Sequence, residues 1–305
     1  MIDLLTSVVI WGRTLDAATS LLLVALGGYL CVRSGVFNIA LEGSMIFSCF
    51  AAVACSFWAS NWGLGVLGAA AVGVAVTGVL ALVCVYLHAD VLLVGLALNL
   101  LGLGATPLLL QWAFGIRGGF TSPEVRPIPH VGLPGIDAVP WLGDVVSGRS
   151  VLTYLGWLLA AAVAVWLRHT RSGMALRAVG LREEIAAVTG VPVRRTRATA
   201  LLAGGALVGV GGAQLALGDV AQFSENMTSG RGFVALAMVL IAARRAWTLL
   251  PLSIGFAVFD VVGLSLQSEG LWSELSYVLP YAAALAILLL ARLWSVYRLP
   301  RSTRA

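Results

Sequence analysis

The sequence predicts an all-α, polytopic membrane protein with about nine transmembrane helices, a count of eight to ten being compatible with it. Three observations carry that expectation. The 305-residue chain is 60% apolar and only 11% charged, with a mean hydropathy of +0.96. Soluble domains are about a quarter charged, and a soluble chain of this size could not bury so much apolar surface. The apolar residues also fall in runs of about 15–25, the length at which a helix crosses a hydrocarbon core of about 30 Å. Finally, the runs are uniformly apolar rather than alternating, which argues against barrel strands and for helices.

The runs place candidate spans at 14–32, 38–58, 63–87, 91–115, 150–168, 197–219, 229–243, 250–267 and 275–293. Residues 1–11 are apolar and either lie at the interface or extend the first span. No separate signal peptide is expected, because Arg13 follows the first apolar stretch and no cleavage pattern precedes a soluble domain. The whole chain, 1–305, reads as a single membrane domain. Gly204, Gly205, Gly209, Gly211 and Gly212 crowd the span at 197–219, and small residues let membrane helices approach closely, so this span is expected at the centre of the bundle.

Two connections are long. Residues 168–197 hold seven arginines in thirty residues. This insert is polar, capable of helix and too basic to be translocated easily, so it is expected in the cytoplasm. Alternating from there puts Arg33, Arg244, Arg245 and the basic tail on the same side. The acidic segments 219–229 and 268–274 fall outside. Residues 116–149 then form an extracytoplasmic loop, kept extended by Pro123, Pro127, Pro129, Pro134 and Pro140.

Several functions are disfavoured by what the chain lacks. All 19 basic residues are arginine and lie at span ends or in loops, so no basic soluble face offers itself to nucleic acid. Without lysine there is no phosphate-binding G-x-x-x-x-G-K-[ST] loop. No G-x-S-x-G, H-E-x-x-H or His/Cys cluster occurs, so neither catalysis nor a metal or other cofactor is expected. Cys31, Cys49, Cys55 and Cys84 lie in or beside apolar segments and read as small buried side chains.

Polar groups inside the membrane are costly, so each marks a candidate site. In GVFNIALEGSM (35–45), Asn38 and Glu42 are four apart, as on one helical face, where a span begins or breaks. They either line a cavity or cap and pack a helix; the residues alone leave both open. Asn99 is the one strongly polar side chain of VGLALNLLGLGATP (94–107). In FSENMTSGRGFVALAM (223–238), Asn226, Thr228, Ser229 and two glycines interrupt the apolar pattern, as at the start of a re-entrant or discontinuous helix. Arg231 there is expected to pair with a carboxylate or a capping carbonyl. A faint echo links 37–43 to 223–230 and hints at an internal repeat. Asp16, Gln214 and Asp260 are expected to have satisfied structural roles.

SGVFNIALEGSM, VGLALNLLG, SGMALRAVGLREEIAAVTGV and NMTSGRGFVALA together closely resemble the permease subunits of bacterial ABC-type importers for purine nucleosides and simple sugars. These belong to the branched-chain amino acid and ribose permease superfamily. The resemblance runs from about Arg33 to the last span. It implies a multi-pass protein of the bacterial inner or plasma membrane, surrounded by lipid. It also implies three protein partners: a separate ATP-binding-cassette ATPase, an extracytoplasmic solute-binding protein and a second permease subunit paired as a heterodimer. Within 168–197 it implies a coupling helix that docks on the ATPase, with Gly173, Arg177, Ala178, Gly180, Ala186, Ala187 and Gly190 at the matching positions. Asn38, Glu42, Asn99, Phe223, Asn226 and Thr228 are then expected along the substrate path. The chain departs from the pattern at LIAARRAWTLLPL, where Ala242 and Ala243 stand in place of glycine. The alternative is an ion-driven secondary transporter with Glu42 as its proton site.

Overall fold

The computed structural model describes residues 8–132, 142–242 and 245–268. Its elements run α1 (Val8–Arg33), α2 (Leu41–Ala59), α3 (Trp62–Leu80, continued by a π-helical turn Ala81–Tyr86) and α4 (Val91–Phe114). The 116–149 connection, expected from the sequence to be an outer loop and so called below, contributes β1 (Gly119–Phe120), β2 (His130–Val131) and the short α5 (Leu142–Val146), and β3 (Arg149–Ser150) closes it. Next come α6 (Val151–His169), the short helices α7 (Arg171–Leu181) and α8 (Glu183–Val188), and α9 (Val193–Ala213), which ends in a second π-helical turn, Gln214–Asp219. Then follow β4 (Phe223–Ser224), α10 (Arg231–Ala242) and, after a 3-10 turn at Ala246–Thr248, α11 (Leu249–Ser268).

Local sequence explains where the helices start. Asn61 caps α3 by accepting from the Gly63 and Leu64 N–H groups. Asp90 does the same for α4 at Leu92 and Leu93. Ser150 caps α6 at Thr153, and Thr170 caps α7 at Gly173. These short polar side chains satisfy N–H groups that the first turn leaves without partners.

Seven described helices are long and apolar enough to cross a membrane, which bears out a polytopic all-α membrane protein. The expectation of about nine spans meets two exceptions. The span expected at 229–243 is the 12-residue α10, about 18 Å long at 1.5 Å per residue and so about half of what a crossing needs. The span expected at 275–293 lies outside the described residues.

Burial separates centre from periphery. The apolar windows of α1, α2 and α9 are 83%, 72% and 72% buried, whereas those of α3, α4, α6 and α11 are 28% buried. The glycine-rich α9 is central, as expected. A Cβ on Gly205 would run into Thr77 and the Gly73 carbonyl, and one on Gly209 into the Ala69 carbonyl. The helices therefore approach to backbone contact there, which any side chain would prevent.

The two ends of the bundle differ. At one end Gly180 packs on the Arg33 carbonyl, Arg194 lies 3.4 Å from His88, and Arg168 stacks 5.8 Å over Trp247. The other end carries the outer loop. There β2 pairs with β3, β1 pairs antiparallel with β4, Ile128 N–H donates to Leu217, and Arg149 reaches Asp16 at 3.5 Å. Arg33 at the end of α1, the arginines of the 168–197 insert and the 245–248 turn thus share one end.

Candidate functional site

The polar interruption at 223–230 is a break in a span. After α9 the chain pairs briefly with the outer loop through β4 and then descends without regular structure to Gly230. Four residues of this descent take left-handed backbone angles: Ala221, Asn226, Ser229 and Gly230, at φ +50, +56, +44 and +79. Tight turns replace helical bonds, with Met227 N–H to Ser224, Ser229 N–H to Asn226 and Arg231 N–H to Thr228. Helix α10 completes the crossing toward the arginine-rich end.

The broken end is held by Glu42. Its Oε1 accepts from the Thr228 hydroxyl at 2.6 Å and the Gly230 N–H at 2.9 Å, and its Oε2 accepts from the Gly232 N–H at 2.7 Å. All three contacts donate to it, the pattern suited to a carboxylate with acceptors only. Only 2% of Glu42 is exposed. Its partners lie 186–190 residues away in sequence and include the first donors of α10. Such donors carry the positive end of the helix dipole. Gly232 must be glycine here, because a Cβ would meet the Glu42 backbone at 2.5 Å.

Asn99, 3% exposed, does the same for the start of α2. It accepts from Gly43 N–H at 2.7 Å and donates to the Ile39 carbonyl at 3.0 Å. Its neighbours leave room for nothing larger than glycine at Gly43, whose Cβ would sit 2.8 Å from the Asn99 Cα. Asn38 is not on a helical face with Glu42, which corrects the four-residue reading. It precedes α2, and its side chain accepts from Ala40 N–H at 2.9 Å, a local turn that competes with helix and delays its start. Asn38, Glu42, Asn99, Thr228 and Phe223 are all buried within this one chain. Phe223 packs edge-on against Phe50, its ring centroid 5.5 Å away. Asn226 alone of the six is exposed, flanked by exposed Glu225 and Ser229. The two stretches that echo each other in sequence meet here.

Asn99 lies eight residues into α4, and Asp260 eleven into α11. At 1.5 Å per residue, the contacts of Asn99 and Asp260 at the foot of the break sit about 12–16 Å from the arginine-rich end, whereas Glu225 at its head is bonded to Gly118, past the far end of α4. Asp260 binds Arg231 through one oxygen, at 2.6 Å from Nη2 and 3.1 Å from Nε. The expected carboxylate partner of Arg231 is therefore present, and Asp260 has the structural role expected of it. Asp16 and Gln214 belong to a chain of hydrogen bonds near the outer end: Thr153 hydroxyl to Asp16 at 2.6 Å, Ser150 to Gln214 at 2.8 Å and Gln214 to Asp219 at 3.1 Å. Sequence reasoning missed Ser150 and Thr153 because they sit at a helix start, where a cap explains them fully.

The outer loop is tied to the break. Gly118 N–H donates to Glu225 Oε1 at 2.7 Å, Glu225 N–H returns to the Gly118 carbonyl, and Thr121 bonds Gln222. At the opposite end, α7 and α8 form a compact peg. Gly173 packs on the Trp166 carbonyl and Gly180 on that of Arg33, so neither tolerates a side chain. Ala186 is buried, Ala178 and Ala187 are exposed, and Gly190 takes φ +81 after α8. Arg177 is partly buried and its Nε has no hydrogen-bond partner among the described residues. The peg also presents Leu181, Ile185 and Val188 outward, the last 90% exposed. Among the described residues no group of three His, Cys, Asp or Glu is placed to hold a metal.

Comparison with known proteins agrees with this architecture. Residues 12–289 match the family model described as branched-chain amino acid transport system, permease component. TsgC13 of Haloferax volcanii, named for a glucose ABC transporter permease, is 31% identical over 262 residues, 85% of this chain and 78% of its own. The guanosine ABC transporter permease NupQ of Bacillus subtilis is 33% identical over 238 residues, 74% of this chain and 73% of its own. The nucleoside ABC transporter permease NupC of Lactococcus lactis is 30% identical over 241 residues, 76% and 74% of the two chains.

Proposed function

The chain belongs to the branched-chain amino acid transport system permease component family and is the membrane-spanning permease subunit of an ABC transporter; from that premise we propose that it imports a nucleoside or simple sugar past the break at 223–230. The observation that carries this reading is the exposed edge of the break. Glu225 and Asn226 are exposed where the descent leaves the 116–149 loop, and Ser229 where it nears Glu42; lipid does not solvate an irregular polar backbone that enters the membrane in this way. They face water or a second subunit. Asn226 and the irregular backbone offer weak, exchangeable hydrogen bonds to hydroxyls or a purine edge. Glu42, Asn99, Asn38, Thr228 and Phe223 shape that edge from behind. The second permease subunit closes the route from the other side, as one half of a heterodimer.

Drive comes from a separate ATPase that binds the α7–α8 peg. The peg combines an apolar tip at Leu181, Ile185 and Val188 with arginine flanks, and its glycines fix it rigidly to α1 and α6. Motion of the ATPase subunits then tilts the bundle between inward and outward states. An extracytoplasmic binding protein delivers the solute to the face formed by the 116–149 loop, and the assembly sits in the inner or plasma membrane. Affinity purification through a C-terminal tag tests the assembly: an ATP-binding-cassette ATPase and a second permease are expected in the eluate. Recovery of this chain without an ATPase, from cells expressing the whole system, would count against it.

A further inference from the structure

The start of a half-helix inside a membrane is a natural place to hold an anion, because its free N–H groups and dipole point at the ligand. In this chain that place is already filled. Glu42 takes the Gly230 and Gly232 N–H groups and the Thr228 hydroxyl from the buried side. The guanidinium in contact with the break, that of Arg231, is likewise taken by Asp260. Glu225 adds a third carboxylate on the exposed edge, anchored to Gly118 N–H. Along the break, Glu42, Asp260 and Glu225 stand against the single guanidinium of Arg231, whose ion-pair partner is Asp260, a formal balance of −2. The helix end offsets this by only about half a charge. Arg117, the residue before Gly118, is directed to Gln111 through Nε.

We propose that Glu42 is a specificity-determining residue: it occupies the anion-holding end of α10 and, with Asp260 and Glu225, makes the route past Asn226 reject negatively charged solutes. Uncharged, hydroxyl-bearing solutes pass, whereas phosphorylated forms of the same solutes are refused by the permease itself. This rests on the reading that the 225–230 edge faces the solute route. One uncompensated charge about 10 Å away, at an effective dielectric constant near 20, changes the local concentration of a monovalent ion by about tenfold. A cation and an anion are moved in opposite directions, so the ratio between them is larger still.

The test uses the complete transporter in membrane vesicles, with Asn226→Cys as a reporter. Cys55 and Cys84, the two cysteines that are not fully buried, are replaced by alanine, and that background without the reporter is run alongside. Two methanethiosulfonates of similar size are compared, one bearing a quaternary ammonium and one a sulfonate. In both, the thiolate attacks the reagent sulfur, a mixed disulfide forms and methanesulfinate leaves. Any change in thiol ionisation affects both alike, so the ratio of rates, normalised to a free thiol, reports the local potential. The ammonium reagent is expected to react at least ten times faster than the sulfonate. Glu42→Gln should lower that ratio severalfold, and so should Glu225→Gln, which keeps its acceptor for Gly118 and leaves the break intact. A ratio near one, or one unmoved by both variants, overturns the charge filter while leaving the route in place. No reaction with either reagent shows that Asn226 does not meet water, and overturns both.

Discussion

Replacing Glu42 by alanine tests the clamp that holds the broken span. The wild-type carboxylate receives one hydroxyl and two N–H groups at 2.6–2.9 Å and is 2% exposed. Hydrogen bonds between helices in a membrane average about 0.6 kcal/mol and reach about 1.7, while bonds to charged groups in proteins contribute about 1.5–3. Three bonds at about 1 kcal/mol each give about 3 kcal/mol for Glu42→Ala. Loss of the charge at the helix N-terminus adds about 1 kcal/mol. Glu42→Gln keeps one acceptor oxygen for Thr228 and Gly230 but turns an amide toward the Gly232 N–H, so about half that loss is expected. The assay is reversible unfolding by sodium dodecyl sulfate in mixed micelles, repeated in a double-mutant cycle with Thr228→Val. The Glu42–Thr228 pair should show a coupling of about 1 kcal/mol. A Glu42→Ala protein within about 0.5 kcal/mol of wild type, or a cycle that adds without coupling, would refute the clamp.

Further substitutions follow from the same geometry. Asn99→Leu strands the Gly43 N–H and the Ile39 carbonyl and should cost about 1–3 kcal/mol in the same unfolding assay; Asn99→Asp, which still accepts from Gly43, should cost less. Gly205→Val drives a side chain into Thr77 and the Gly73 carbonyl and should lower folded yield sharply, as read by size-exclusion profiles in detergent, whereas Gly104→Val, with open space around it, should not. Arg231→Leu leaves the part-buried Asp260, its side chain 21% exposed, without its partner and should destabilise by up to about 3 kcal/mol; adding Asp260→Leu should recover part of that loss. Arg177→Glu combined with Gly180→Trp should leave membrane insertion intact but separate ATP hydrolysis from uptake, and normal uptake in that variant would remove the coupling role of the peg.

The spans were legible because lipid imposes one rule on every long segment, and that rule acts locally along the chain. The break at 223–230 was legible for the same reason: Asn226, Ser229 and the glycines violate the rule where a helix should run. The roles of Glu42 and Asn99 were not legible. Apart from the Thr228 hydroxyl, their donors are backbone groups of Gly43, Gly230 and Gly232, one 56 residues away and two nearly 190, and backbone donors leave no residue-type signature. Spacing misled at Asn38, because a period of four implies a shared face only if the helix already exists there. It begins at Leu41, delayed by the Asn38 side chain itself. The Arg231–Asp260 pair was half legible: the cation demanded a carboxylate, but the sequence did not say which.

The most direct measurement is solute uptake into liposomes that hold the purified complex of this chain with its ATPase, second permease and binding protein. With a labelled nucleoside or simple sugar and ATP supplied on the ATPase side, accumulation should require every component and cease when ATP is withheld. Uptake by this chain alone, without ATP and dependent on a proton gradient, would contradict the account and make Glu42 a proton site instead of a clamp.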